Sequence, residues 1–288
     1  MREILVLLVL ACAALPLAAC DLVGGGGQPE ILTTTTIFSD MAKQVVGDRM
    51  KVGSIVPTGV HVEEYEPTPD DAKRVTGANI IFVNGLDLDK WADPLLANKK
   101  GDAPVIVLSE GLPDIEENPH MWFDPQLSRK YVEKIRDALI ALDPQGKDGY
   151  MSRANAYNEE LVSLDSELKA KAATVPQDRR KLVTSHDAFP YFAKAFGFEV
   201  VGFVQPEPDH EPSAQELASL VDTVKDAKVP AVFVETGVSK SLTETLAKEA
   251  GVSKVVADLP TDSLLAAPAD SYIGLMRVVM NEIVTALK

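Results

Sequence analysis

Residues 150–173 read YMSRANAYNEELVSLDSELKAKAA, with neither proline nor glycine. Met151, Ala154, Asn158, Leu161, Leu164 and Leu168 recur at three- and four-residue steps, the period of a helix with one apolar face. The run reads as one long amphipathic helix, ended by the polar stretch Thr174–Arg180. On its N-terminal side, strand-like runs (Ile31–Ile37, Lys51–Val56, Ile80–Val83, Val105–Leu108) alternate with helix-like ones (Met41–Val46, Pro69–Val75, Leu88–Leu96, Pro125–Leu142). On its C-terminal side the alternation resumes with strands at Leu182–Ser185, Glu199–Val204, Ala231–Glu235 and Lys254–Ala257. The helices there are Phe189–Phe196, Ser213–Ala227, Leu242–Ala250 and Ser271–Leu287. Such alternation implies parallel sheets covered by helices. The expected fold is α/β: two lobes, each a mainly parallel sheet flanked by helices, joined by one long linking helix. Helix starts are marked by Thr68 before Pro69, by Asp124 before Pro125, and by the capping-box spacing of Ser213 and Glu216.

The 288 residues are enough for two domains. Expected boundaries are 31–145 for the first lobe, 146–178 for the linking helix and 179–288 for the second lobe. A formal net charge of −15 argues against nucleic acid, since little basic surface is available to neutralise phosphates. Ile4 to Ala19 is an unbroken non-polar run, shorter than the ~20 residues of a membrane span and suited to a signal peptide at 1–19. It ends in Leu17-Ala18-Ala19-Cys20, which resembles a bacterial lipobox with Cys20 as the acylated residue. Residues 20–30, with four consecutive glycines at 24–27, then form a flexible tether. The only other cysteine, Cys12, would leave with the signal peptide, so neither disulfides nor a cysteine-ligated metal site is expected. The expected location is outside the cytoplasmic membrane, attached by lipid, as a monomer.

There are four histidines: His61, His120, His186 and His210. His61 and Glu63 follow the strand Lys51–Val56. His120 follows Val105–Leu108 across a loop, His186 follows Leu182–Ser185, and Asp262 follows Lys254–Ala257. All lie beyond the carboxyl ends of expected strands, where open α/β sheets place ligands. A cleft between the lobes could gather them. Imidazole and carboxylate together suit manganese, iron or zinc. Proline on both sides of His120-Met121-Trp122-Phe123 stiffens that segment, and its apolar residues can bury it. Asp124 is read as an N-cap and as a hydrogen-bond partner for the His120 imidazole. The loop Pro206–Pro212, with His210, reads as a rigid solvated loop.

Five segments occur in order: Glu63-Glu64-Tyr65-Glu66-Pro67-Thr68-Pro69, Asn84-Gly85-Leu86, Asn118-Pro119-His120-Met121-Trp122, Ser185-His186-Asp187-Ala188-Phe189-Pro190-Tyr191-Phe192 and Thr261-Asp262-Ser263. Together they resemble the metal-binding solute-binding lipoproteins of ABC importers, the manganese/zinc family that includes bacterial surface adhesins. The resemblance implies no enzymatic activity. It implies one divalent ion held between the lobes by four side chains and delivered to a membrane permease. His120, His186 and Asp262 fall on the second, third and fourth ligand positions. At the first position the family usually has histidine two residues before the tyrosine, where this chain has Glu63; His61 stands two residues earlier and is the alternative.

Two carboxylates would neutralise a divalent ion, and oxygen donors favour manganese, with zinc and iron open. Two other classes are weighed. An organic-ligand receptor, for a siderophore or cobalamin-like molecule, would need a wide aromatic cleft, and aromatics are only 6% of the chain. A metallohydrolase would be expected to show a His-Glu-x-x-His helix, which is absent from the sequence.

Overall fold

The computed structural model describes residues 30–205, 212–236 and 239–288. The expected signal run, Cys20, the glycine tether up to Pro29 and all of the Pro206–Pro212 loop except Pro212 lie outside them. The first lobe runs β1 (Glu30–Thr33), α1 (Thr36–Val46), β2 (Lys51–Ser54), α2 (Pro69–Gly77), β3 (Ile80–Val83), α3 (Asp93–Leu96), β4 (Val105–Val107) and α4 (Pro125–Leu142). Its four strands form one parallel sheet in the order β2-β1-β3-β4. Ile80, Ile81, Phe82 and Val83 of β3 are all buried, as expected of a strand covered on both faces.

The linking helix α5 spans Lys147–Ala172 and starts three residues earlier than the periodicity indicates. It buries Tyr150, Ala154, Tyr157, Asn158, Leu161, Leu164 and Leu168; of the stripe read from the sequence Met151 is exposed, and Tyr150 and Tyr157 pack instead. The second lobe follows as β5 (Lys181–Thr184), α6 (Pro190–Phe196), β6 (Glu199–Phe203), α7 (Ala214–Ala227), β7 (Val232–Glu235), α8 (Lys240–Ala250), β8 (Val255–Leu259) and α9 (Tyr272–Leu287). Here the strands form two parallel pairs, β5–β6 and β7–β8. Side-chain bonds link β7 to the residue following β5: Ser185 N–H donates to Glu235 Oε2 at 3.0 Å, and Glu235 N–H donates to Ser185 Oγ at 3.2 Å. Among the described residues no helix is long and apolar enough to cross a membrane.

β1 is shorter than the β-branched run suggests. Thr35 leaves the strand, and its hydroxyl accepts from Phe38 N–H to cap α1, while Thr33 Oγ1 bonds Ser39 Oγ. Threonine serves strand and cap equally well, so composition alone does not place this boundary.

One apolar core runs through both lobes, from Ile31 and Phe38 through Trp122, Phe123 and Tyr150 to Phe189, Phe192 and Met280. Phe123 stacks on Phe189 with ring centroids 4.9 Å apart, joining the segment after His120 to the segment after His186. Each of these large side chains contributes about 1.5–3 kcal/mol by burial. Opening the lobes like a hinge would break this shared packing, so the space between them is a fixed cleft.

Candidate metal centre

Each candidate side chain is delivered by a loop leaving a strand, and each loop is tied down separately. After β2, the loop carrying His61 and Glu63 ends at Tyr65, whose hydroxyl donates to Asp71 Oδ2 at 2.7 Å. That carboxylate also accepts from Thr68 N–H at 2.8 Å and caps the start of α2. After β4, the loop carrying His120 is propped by the fully buried Asn84. The Asn84 amide donates to the Pro119 carbonyl at 3.0 Å, and its Oδ1 accepts from Tyr131 Oη at 2.7 Å. Gly85 follows with φ +84°, and a Cβ there would lie 2.6 Å from Val107 Cγ1. The Asn84-Gly85 pair is therefore a support for the His120 loop.

His186 sits just past β5, where Thr184 Oγ1 donates to its carbonyl at 2.8 Å. The loop carrying Asp262 is fastened across the cleft to the first lobe. Trp122 Nε1–H donates to the Thr261 carbonyl at 3.1 Å, Gly59 N–H to Ser263 Oγ at 2.8 Å, and Leu264 N–H to Thr36 Oγ1 at 2.8 Å.

The cleft brings all five expected side chains together. His186 Nε2 lies 3.3 Å from His120 Nε2 and 3.9 Å from Asp262 Oδ2. His120 Nε2 is 3.5 Å from Asp262 Oδ1 and 3.9 Å from Glu63 Oε1. His61 Nε2 is 2.7 Å from Asp262 Oδ2. Donor atoms of His61, His186 and Asp262 lie within 4.8 Å of one another, as do those of Glu63, His120 and His186. An ion bound at ~2.0–2.2 Å from each donor keeps its donors within about 4.4 Å of each other. The named donor pairs, 2.7–3.9 Å apart, fall within that limit.

Hydrogen bonding aims the donors inward. The Asn118 amide donates to the Asp187 carbonyl at 2.6 Å, which leaves its Oδ1 as an acceptor. His120 Nδ1, 3.1 Å from that oxygen, is then the protonated ring nitrogen, and Nε2 presents a bare lone pair. The imidazole partner is thus Asn118 and not Asp124. Asp124 serves only as the cap, accepting from Gln126 N–H at 2.8 Å.

Several atoms in the cleft are buried without a hydrogen-bond partner among the described residues. They are His61 Nδ1 and Nε2, Glu63 Oε2 and Asp262 Oδ1. His61 and Asp262 approach closely, yet are not aligned as donor and acceptor. Each such orphan costs ~1–3 kcal/mol, and a cation would satisfy several at once.

Charge is distributed to match. Burial alone would raise Asp262, but the neighbouring His61 and His120 hold its carboxyl well below the usual range. Burial alone would lower His61 and His186. Asp262 raises His61, and Glu235, with Asp262 and Glu63, raises His186 to about 9.

Glu235 is the residue that sequence reasoning missed. It ends β7 fully buried, with Oε2 3.8 Å from His186 Nδ1 and Oε1 without a hydrogen-bond partner among the described residues. A charged residue closing an otherwise apolar strand was the available signal. His210, the fourth histidine, lies outside the described residues.

A cavity of about 10 Å³ lies against His61 and Asp262, walled by Gly59, Val60, Thr236 and Leu265. That is space for about one water molecule.

Comparison with known proteins gives a consistent set of relatives. Residues 31–286 match the family model ZnuA, described as zinc-uptake complex component A, periplasmic. A manganese-binding lipoprotein, MntA, from Halalkalibacterium halodurans is 34% identical over 301 residues, covering 100% of this chain and 99% of that protein. The iron-binding protein YfeA of Yersinia pestis is 31% identical, covering 88% of this chain and 85% of its own. Among solved structures, the periplasmic zinc-binding protein TroA from Treponema pallidum superposes with a TM-score of 0.83 at 29% identity. That match covers 91% of this chain and 99% of TroA.

Proposed function

The chain belongs to the ZnuA family of periplasmic metal-uptake components, and from that premise we propose how it works. It is an extracytoplasmic substrate-binding protein of an ABC importer, not an enzyme. It captures a divalent transition metal in the cleft between its lobes and delivers it to a membrane permease. The observation that carries this reading is the convergence of buried, unpartnered nitrogen and oxygen atoms on one small space between the lobes.

The ligands we assign are His120, His186 and Asp262, with Glu63 at the first position and His61 beside it. The manganese-binding relative and the pair of carboxylates favour manganese, with zinc and iron as competitors. Residues 31–145 and 179–288 act as the two jaws, and 146–178 fixes their separation. Lipid attachment at Cys20 and a monomeric state complete the reading.

An organic ligand such as a siderophore does not fit between His120, His186 and Asp262, whose facing donor atoms stand 3.3–3.9 Å apart. Elemental analysis of protein purified without chelator tests the proposal. We expect close to one manganese, zinc or iron per chain. Metal-free protein that takes up none of the three on titration would contradict it.

A further inference from the structure

Four side chains suffice for the site as proposed, yet the cleft offers five. His61 and Glu63 lie two residues apart in one loop and approach from different sides. His61 stands against Asp262 at 2.7 Å, with its ring edge-on to His186 at a centroid distance of 5.1 Å. Glu63 instead faces His120, with Oε1 3.9 Å from Nε2. They are not two candidates for one corner of a coordination shell, because each belongs to a separate trio of donors that shares His186.

Among the described residues neither is engaged by a group outside the cleft. Among the described residues both ring nitrogens of His61 are buried without an aligned hydrogen-bond partner, and so is Glu63 Oε2. If Glu63 alone bound the ion, His61 would remain a buried imidazole held only by its 2.7 Å approach to Asp262, itself a ligand. If His61 alone bound it, a carboxylate would face the imidazoles with one oxygen unsatisfied. Either choice leaves a penalty that the other residue's coordination removes. Exposure separates their roles: the Glu63 side chain is 19% exposed, against 1% for Asp262 and 4% for His61, so Glu63 is the outermost donor.

We infer that His61 and Glu63 both bind the ion, giving a five-donor site of three imidazoles and two carboxylates. This rests on the cleft being the metal site as proposed above. Zinc is satisfied by four ligands, whereas manganese favours more donors and more oxygen. The extra carboxylate therefore tilts the site toward manganese, and Glu63 is the residue that sets the preference.

The test is competitive titration of manganese and zinc into metal-free wild type, His61→Ala and Glu63→Ala, with Asp262→Ala as control. Each single variant should still bind one ion but lose roughly tenfold or more in manganese affinity, as much as losing even an outer partner costs. Glu63→Ala should lose more manganese affinity than zinc affinity. X-ray absorption on the manganese forms should show one imidazole fewer in His61→Ala and an unchanged imidazole count in Glu63→Ala. Wild-type manganese affinity in either variant would overturn the five-donor site. Wild-type affinity in Asp262→Ala would contradict the cleft assignment itself. Should an alanine variant fail to fold, His61→Gln and Glu63→Gln carry the same comparison.

Discussion

Glu235 Oε2 lies 3.8 Å from Nδ1 of His186, and both residues are fully buried where β5 and β7 end side by side. The same oxygen accepts from Ser185 N–H. The carboxylate therefore fixes the strand end that carries the imidazole and places negative charge behind it. Glu235 touches no expected ligand atom facing the cleft, so it positions His186 and raises its basicity.

Replacing Glu235 with glutamine keeps the volume and removes the charge. Metal affinity should fall by roughly 10- to 100-fold, the range for loss of a partner behind a metal-binding histidine. Calorimetric titration of Glu235→Gln reads this directly. Glu235→Ala should also unfold at lower temperature, since it leaves Ser185 N–H without its acceptor.

The raised His186 sets a pH dependence. Its value in the metal-free fold is about 9, against an ordinary 6.5. Its protonation therefore stabilises the metal-free protein fully below about pH 6.5. That contribution disappears as pH rises through 9. A metal must displace the same proton, so affinity should rise across this window and binding at pH 7 should release protons. Titration in two buffers of different ionisation enthalpy measures the release. An observed enthalpy independent of buffer would contradict it.

Trp122 ties the two sides of the cleft, donating to the Thr261 carbonyl while its ring lies 5.1 Å from His120. Metal binding should change the tryptophan fluorescence. The chain has two tryptophans, and the other, Trp91, packs on Tyr65 at 5.0 Å. Trp91→Phe should keep the metal-dependent change and Trp122→Phe should lose most of it. Trp122→Phe should also be less stable by about 1–3 kcal/mol, because the Thr261 carbonyl is left unpaired.

Asp71 anchors the loop that carries His61 and Glu63, accepting from Tyr65 Oη, Thr68 N–H and Thr68 Oγ1. Burial alone would raise its carboxyl, and these three bonds, with Arg74, lower it. Asp71→Ala should cost about 1 kcal/mol by breaking the capping box in which Thr68 is the N-cap. It should also accelerate metal release, measured by stopped-flow with a chelator.

Much of this architecture was legible in the chain. The helix period at 150–173 marks the link between lobes, and strand-end placement points to His61, Glu63, His120, His186 and Asp262. Thr68, Asp124 and Ser213 marked helix starts because capping is a local transaction between neighbouring residues. Relationships that depend on tertiary pairing were not legible. Glu235 meets Ser185 across fifty residues, and no periodicity encodes that meeting. Asn118 takes the role expected of Asp124 because a tight turn, not the helix start, faces the His120 ring. The loop holding His61 and Glu63 is irregular, so its side-chain directions follow from tethering at Tyr65 and Gly59.

The central claim is that one divalent ion sits between the lobes on side chains from both. Native mass spectrometry of metal-free protein, offered manganese, zinc and iron together, tests it most directly when wild type is run beside Asp262→Ala and His120→Ala. The account predicts one bound ion per wild-type chain and sharply reduced occupancy in each variant, from opposite sides of the cleft. Wild-type occupancy in both variants would contradict it.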